Sequence, residues 1–429
     1  MLEIALFIFS LKVLSLLIQE KLKIPSPITL ISGVLIFKFM GLSFLPTTGT
    51  DFDQRILFLL PLLIMVDVFS LKFTDLKSNA ISLFYVAGIS VVLTIALGIL
   101  TQKILLPDYT LSIPALIVLF CMLAATDPFS VSAVFSNFDL PHKLKVIAEG
   151  ESLFNDAIAI IIFSIAIGFL GTEAKSFTEI SLHSFAVIFG AIVIGLIIGF
   201  IGLLLLQTTK DPIIETSIKL LIAYSSFYIA ELWHWSGILA IIVSVLFANH
   251  LVTGYLEKDQ KDIEELEKKG MFNKIENILK LDRAITDKAN HEMIIKFIRF
   301  IASIGVVFLF ISLAEIIDYK QLIKYSKEII ILFIGMTIIR AIMMFKFGFI
   351  SNRTKKMQDI NLRWWSVLTF AGVKGGLSIL MVHMIPGSFP YKNTFEAIVI
   401  GNIILSTFIY PVILILIVSL NQAKFSEEH

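Results

Sequence analysis

Long apolar runs constrain this chain more than any other feature of its sequence. A helix needs about 20 mainly apolar residues to cross about 30 Å of hydrocarbon. About thirteen stretches meet that requirement by hydropathy and by their flanking residues: 2–19, 26–45, 54–71, 79–103, 111–136, 145–171, 179–207, 212–231, 234–253, 292–316, 323–349, 361–385 and 394–419. We therefore predict an all-α membrane protein with about thirteen transmembrane helices.

The composition supports a membrane location. Of the 429 residues, 57 % are hydrophobic and 16 % are charged, whereas a soluble domain carries about 25 % charge. This excludes a soluble enzyme, a nucleic-acid-binding protein, a disordered chain and a disulfide scaffold. The single cysteine, Cys121, excludes an intrachain disulfide and a Cys-based metal site.

Basic residues predict the orientation. Most fall in alternate connections on one side, which the positive-inside rule assigns to the cytoplasm: Lys21, Lys23, Lys72, Lys77, Lys143, Lys145, Lys210, Lys219, Lys346, Arg353, Lys355 and Lys356. The N-terminus would lie outside and the C-terminus in the cytoplasm.

The stretch 2–19 lacks a basic n-region, so we interpret it as a retained helix. The polar segment 255–299 falls on the cytoplasmic side and is interpreted as a solvated amphipathic linker.

The fifth apolar stretch contains Ala125-Thr126-Asp127-Pro128. Pro128 has no N–H, so the Ala124 carbonyl loses its helical partner, and proline disfavours helical angles at Asp127. We predict a broken helix whose second half is capped by Asp127. Broken helices of this kind bind ions in secondary transporters. The alternative is an ordinary proline kink with a capping aspartate.

The sixth stretch contains Glu149-Gly150-Glu151-Ser152-Leu153-Phe154-Asn155-Asp156. Ser152, Asn155 and Asp156 have the spacing of one helix face, and they offer the oxygen ligands that hard cations prefer. The apolar residues that follow place Asp156 at membrane depth. Such a carboxylate is a site at which a proton and a cation compete. The alternative, a polar helix start in water, suits Glu149 and Glu151 better than Asp156.

Three further charges lie inside predicted spans. Lys374 stands among glycines in Gly372-Val373-Lys374-Gly375-Gly376, which weaken a helix by about 1 kcal/mol each and predict a second break. Lys374 would neutralise the negative ends of half-helices or snorkel to the interface.

Arg340 is in mid-span and requires an acidic partner, Glu151 or Glu149. Asp67 lies near the end of the third span, as an outer ligand or an exposed helix-end charge.

The two predicted breaks lie seven spans apart. Spans 1–6 and 8–13 would thus form two six-helix repeats of inverted topology, joined by span 7.

These motifs resemble the core of the NhaP/NHE sodium–proton antiporters, the electroneutral branch of the monovalent cation:proton antiporters. Ala125-Thr126-Asp127-Pro128 followed by Glu149–Asp156 is the strongest match. Pro61-Leu62-Leu63 before Asp67, the run Trp233–Ala240 and the glycine-rich run around Lys374 are similar to other segments of that family. The resemblance covers roughly 55–415.

The resemblance implies a division into a mobile core and a dimer domain, in a homodimer. The implied segments are 1–78 (dimer-domain helices 1–3), 79–171 (core helices 4–6), 172–253 (dimer-domain helices 7–9), 254–291 (cytoplasmic linker), 292–322 (dimer-domain helix 10), 323–420 (core helices 11–13) and 421–429 (tail). It also implies transport by an elevator-like shift of the core.

The resemblance further implies roles for individual residues. Asp156 would carry Na⁺ or the proton, with Asp127, Ser152 and Thr126 as further ligands and Asp67 as an outer one. Asn155 is typical of members that exchange one cation for one proton. Glu151 and Arg340 match a structural ion pair, and Lys374 stands where the family usually has arginine, so it lacks the bidentate fork.

We therefore expect a Na⁺(Li⁺)/H⁺ antiporter of the cytoplasmic membrane that uses no cofactor. A K⁺/H⁺ antiporter of the same fold is the nearest alternative, because oxygen ligands do not fix ion size. A gated cation channel is less consistent with two broken, charged spans. A membrane enzyme lacks support, because no HExxH, GxSxG or Cys/His cluster is present.

Overall fold

The computed structural model of the chain describes residues 2–22, 24–40, 49–70, 73–136, 138, 140–170, 177–209, 211–257, 288–354 and 357–426. All regular elements in these ranges are helical, as predicted. They are α1 Leu2–Leu22, α2 Ser26–Phe39, α3 Gly49–Ser70, α4 Phe73–Ser78, α5 Ala80–Leu83, a π-helix Phe84–Ile89, α6 Ser90–Leu100, α7 Gln102–Leu105, α8 Ile113–Ala124, α9 Pro128–Phe135, α10 His142–Ile167, α11 Phe177–Leu206, α12 Pro212–Leu232, α13 Gly237–Glu257, α14 Lys288–Ile316, α15 Tyr319–Lys324, α16 Ser326–Ser351, α17 Leu362–Phe370, α18 Gly376–His383 and α19 Lys392–Ser426.

The helices follow the apolar runs of the sequence. Each of the thirteen predicted stretches contains helix. Within the described ranges, six helices are long and apolar enough to cross a membrane, and three shorter apolar helices accompany them. The number of spans and the inverted repeat remain predictions. Most of the predicted linker lies outside the described residues.

The chain divides into two compact units. Unit 1 comprises Met1–Leu57, Thr74–Ser181 and Val306–His429, and unit 2 comprises Phe58–Phe73 and Leu182–Gly305. Unit 1 contains both sequence motifs with a predicted break. The division into core and dimer domains remains a prediction.

Both predicted interruptions are present in unit 1. The first separates α8 from α9 at residues 125–127, and the second separates α17 from α18 at residues 371–375. Proline alone does not cause such a break, because Pro61 and Pro411 lie inside continuous helices. The broken segments differ in that other parts of the chain bind their freed backbone groups, as described below.

The hydrophobic core of unit 1 surrounds the two breaks. It joins apolar side chains of α9, α10, α16, α17 and α19, many of them fully buried, among them Val131, Val134, Leu144, Ile147, Phe347, Val367, Val373 and Leu414. Close packing of this kind resists displacement of the segments it encloses. Val373, within the second break, is therefore part of this packed core.

One basic residue of unit 2 does not lie where the sequence predicted it. Lys219 was predicted to lie in a cytoplasmic connection, and this prediction is wrong. It lies inside α12, where its side chain is 3 % exposed and its Nζ is 2.7 Å from Oε1 of Glu215. Because Glu215 stands one turn before it on the same helix, the charge is neutralised locally. Lys219 therefore cannot report the orientation of the chain.

Candidate ion-binding site

The two broken segments of unit 1 meet directly. The backbone N–H of Asp127 donates to the carbonyl of Val373, with N and O 2.7 Å apart. A Cβ on Gly375 would lie 2.5 Å from Cβ of Asp127, closer than atoms of side chains approach. The close approach of the two segments therefore requires glycine at position 375. This requirement is separate from the tendency of glycine to weaken a helix.

Asp127 occupies the start of the half-helix α9, as the sequence predicted. Its Oδ2 accepts hydrogen bonds from the backbone N–H and the hydroxyl of Ser130, at 3.2 and 2.5 Å. A carboxylate at this position meets the positive end of the helix dipole. Sequence analysis missed Ser130, although its place three residues after a capping aspartate is a recognisable signal.

Thr126 links the first break to α10. Its backbone N–H donates to Oδ1 of Asp156 at 2.9 Å, and its hydroxyl is hydrogen-bonded to that of Ser152, also at 2.9 Å. Thr126 and Ser152 are buried, whereas Asp156 is partly exposed. The break and α10 thus bring together two carboxylates, of Asp127 and Asp156, and two hydroxyls.

Asn155 binds the backbone that the break frees. Its Nδ2 donates to the carbonyl of Ala124 at 3.0 Å and to Oγ1 of Thr126 at 3.1 Å. The Ala124 carbonyl, which the sequence predicts to lose its helical partner, thus accepts a hydrogen bond from the amide of Asn155. Asn155 therefore acts here as a donor to the protein, while its role as an ion ligand remains a prediction.

Arg340 forms a buried ion pair with Glu151. Nη1 and Nη2 of Arg340 lie 3.0 and 2.8 Å from the two carboxylate oxygens, and the side chains are 11 % and 2 % exposed. Glu151, and not Glu149, is thus the partner. Arg340 also donates to the carbonyls of Leu368 and Thr369 at the end of α17, at 3.0 to 3.3 Å.

These bonds place the guanidinium of Arg340 at the negative end of the half-helix α17. Whether Lys374 also neutralises a half-helix end or snorkels to the interface remains a prediction. The ideal Cβ position of Gly372 falls on the guanidinium of Arg340, so a side chain at 372 would displace this contact.

Lys374 is buried within the second break. Its side chain is 7 % exposed, and its backbone N–H donates to Oγ of Ser406 at 3.0 Å. Lys374 lines a small cavity together with Glu151, Asn155 and Arg340. Ser406 is a second residue that sequence analysis missed.

Asp67 lies on α3 in unit 2, and its side chain is outside the described residues. Its role as an outer ligand remains a prediction.

The chemistry of the assembled site favours a hard cation of low charge. Carboxylate and hydroxyl oxygens are ligands for such ions. Within the ranges that the structure describes, no group of three or more His, Cys, Asp or Glu side chains could hold a metal ion. Discontinuous helices that place such groups at membrane depth define the class of ion-coupled secondary transporters.

Comparison with known proteins identifies the family. The model of the family "Sodium/hydrogen exchanger, transmembrane" matches residues 6–420. The chain belongs to this family, which is a family of transporters and not of enzymes. The resemblance to NhaP/NHE proteins expected from the motifs is thus confirmed.

Curated relatives and a solved structure agree with this assignment. The chain is 28 % identical to the Na⁺/H⁺ antiporter ApNhaP of Aphanothece halophytica over 82 % of its length and 62 % of the relative's. It is 26 % identical to the Na⁺/H⁺ antiporter NhaG of Bacillus atrophaeus over 88 % of its length and 66 % of the relative's. It therefore spans somewhat less than two thirds of these relatives.

The fold is that of a sodium–proton antiporter of known structure. The structure of MjNhaP1 from Methanocaldococcus jannaschii at pH 8 matches with a TM-score of 0.74 and 18 % sequence identity. The match covers 96 % of this chain and 99 % of that one.

Proposed function

We propose that this protein is a Na⁺(Li⁺)/H⁺ antiporter of the cytoplasmic membrane. The observation that carries the proposal is the pair of carboxylates, Asp127 and Asp156, joined through Thr126 at the crossing of two broken helices. Membership of the exchanger family supports the same conclusion.

In the proposed mechanism, Asp156 binds the cation and the proton in turn. In one direction its carboxylate binds the cation, with Asp127, Ser152 and Thr126 as further oxygen ligands. In the other direction it carries a proton. Since a carboxylate must lose its proton to bind a metal ion, one site serves both substrates in turn.

The remaining charges would hold the site together. The Glu151–Arg340 pair ties α10 to α16 and to the end of α17, and the break and Asp156 would therefore move as one body. In the elevator model, spans 4–6 and 11–13 shift as a core against spans 1–3 and 7–10 of a homodimer, with the N-terminus outside and the C-terminus in the cytoplasm.

Exchange would be electroneutral, one cation for one proton. Asn155 stands where electrogenic relatives carry a second acid, and it contributes no charge. The moving core then carries equal charge in both directions.

A dequenching assay of a pH gradient in proteoliposomes tests class and substrate together. Na⁺ and Li⁺ should dissipate the gradient, while K⁺ and Ca²⁺ should not. A response to K⁺ alone would indicate the K⁺/H⁺ alternative, and unitary currents in planar bilayers would indicate a channel. Liposomes without protein control for leakage.

A further inference from the structure

A small cavity with both polar and apolar walls lies beside the Glu151–Arg340 pair within unit 1. Its volume is about 20 Å³, and a single buried water requires about 10–15 Å³ of such volume. The walls include polar groups from three different segments: Ser90 of α6, Asn155 of α10 and Lys374 of the second break. A cavity of this size, with these polar groups in its wall, can hold one water molecule but not a hydrated ion.

Two buried atoms in this wall have unused hydrogen-bonding capacity. Oδ1 of Asn155 and Oγ of Ser90 have no hydrogen-bond partner among the described residues, and the two residues are 1 % and 3 % exposed. The orientation of the Asn155 amide is fixed, because the Ala124 carbonyl that it meets can only accept. Its oxygen must therefore point away from the break. Buried polar atoms without a partner are costly, and ordered water commonly satisfies them.

Lys374 supplies the matching donor. Lys374 lines the same cavity, and a lysine ammonium carries three N–H donors and no acceptor. In the described part of the chain, its recorded hydrogen bond is that of its backbone N–H to Ser406. Asn155 Oδ1 can only accept, so a water molecule between them can accept from the ammonium and donate to the amide.

The backbone before Ser90 is unusual. Residues 84–89 form a π-helix, and Ser90 is the first residue after it. Such segments are rare and frequently occur at functional sites. Ser90 thus lines the cavity directly after this segment.

We propose that this cavity binds one water molecule that accepts a hydrogen bond from Lys374 and donates to Asn155 Oδ1 and Ser90 Oγ. The water holds the Asn155 amide in the orientation in which Nδ2 binds the Ala124 carbonyl and Thr126. Ser90 is thereby a positioning residue for the ion site. This inference extends the proposed exchange function and rests on it wherever transport is the readout.

Two substitutions that are isosteric with each other isolate the hydroxyl. Ser90→Thr and Ser90→Val add the same bulk at Cβ, but threonine keeps the hydroxyl and valine carries a methyl group in its place. We expect Ser90→Val to lower the rate of exchange at least about fivefold and Ser90→Thr to retain most of it, as the loss of one buried hydrogen bond predicts. The same pair at Ser82, which is 2 % exposed but does not line the cavity, controls for packing in this helical region.

A double-mutant cycle with Lys374→Arg separates positioning from packing. The guanidinium reaches farther than the ammonium and takes the place of the water, so Ser90→Val should then change the rate less than about twofold. A purely structural effect of Ser90→Val would persist unchanged in that background and would overturn the proposal.

A high-resolution cryo-EM map gives a readout independent of transport. Density for a water within hydrogen-bonding distance of Ser90 Oγ, Asn155 Oδ1 and Lys374 Nζ is expected in the wild type and not in Ser90→Val. No density in the wild type, or equal exchange by the Ser90 variants and an active wild type, overturns the water site. A wild type that fails to exchange any cation contradicts the proposed function instead, and the map then still decides the water site.

Discussion

Thr126 contacts three residues of α10 through its backbone N–H and its hydroxyl. Its backbone N–H binds Asp156, while its hydroxyl binds Ser152 and Asn155. A substitution can thus remove the side-chain contacts and leave the backbone contact in place.

We expect Thr126→Val to weaken the apparent affinity for Na⁺ by about tenfold, since it removes one oxygen ligand and a hydrogen bond of about 0.5–1.5 kcal/mol. Thr126→Ser should restore most of the affinity. The measurement is the Na⁺ concentration that gives half-maximal dequenching. Thr216→Val, at a buried threonine of unit 2, should leave that concentration unchanged. An unaltered affinity of Thr126→Val would remove its hydroxyl from the ligand set.

The Glu151–Arg340 pair is expected to matter more for stability than an exposed pair. Removing one partner of a buried ion pair costs about 3–5 kcal/mol, because the other charge is left uncompensated. Replacing Arg340 would also remove the hydrogen bonds that it donates to the carbonyls of Leu368 and Thr369. We therefore expect Arg340→Met to lower the free energy of unfolding by about that amount, measured by thermal unfolding in detergent.

The exposed pair of Asp108 and Lys327 provides the control. Its side chains are 64 % and 63 % exposed with the charged atoms 2.9 Å apart, and Lys327→Met should leave the melting temperature unchanged because solvent screens such pairs. Equal effects of the two substitutions would contradict the structural role of the buried pair.

At the scale of elements, the crossing of the two breaks depends on a missing side chain. A methyl group on Gly375 would meet Cβ of Asp127 at 2.5 Å, and such overpacking costs about 1–3 kcal/mol when neighbours shift. We expect Gly375→Ala to lower the melting temperature and to reduce exchange at least about tenfold, because Asp127 would be displaced.

Gly387 provides a matched glycine, since no atom lies within 4 Å of its ideal Cβ position. Gly387→Ala should behave as the wild type in both assays. Full activity of Gly375→Ala would show that the close approach is not needed for transport.

The interruptions of α8–α9 and α17–α18 could be predicted from the sequence, but their partners could not. Pro128 and the glycines around Lys374 mark local breaks, and Asp127 marks a local cap. The contacts that complete the breaks join residues far apart in the chain, such as Ala124 with Asn155 and Asp127 with Val373. Local propensity carries no information on such pairings.

At the scale of the whole molecule, hydropathy was sufficient to predict a helical membrane protein, because the bilayer imposes its thickness on every span. Charge counting was less reliable. As a basic residue, Lys219 was expected in a connection, but the carboxylate of Glu215 one turn away allows it to be buried. A basic residue reports orientation only where no acid within its own helix neutralises it.

Electroneutral exchange predicts that a membrane potential does not change the equilibrium between the two gradients. One charge that crosses 100 mV corresponds to about 2.3 kcal/mol, so a net charge per cycle would be readily detected. In proteoliposomes with the potential clamped by K⁺ and valinomycin, the Na⁺ gradient that nulls net flux should equal the H⁺ gradient at every potential. A null point that shifts with potential would contradict the 1:1 stoichiometry.

The central claim is that cation and proton compete for one carboxylate, Asp156. The most direct measurement is the half-saturating Na⁺ concentration of the wild type as a function of pH, with Asp156→Asn measured in parallel. Competition predicts that this concentration rises about tenfold for each unit by which the pH falls below the pKa of the site. It also predicts that Asp156→Asn folds but exchanges nothing. A half-saturating concentration independent of pH, or exchange by Asp156→Asn, would contradict the claim.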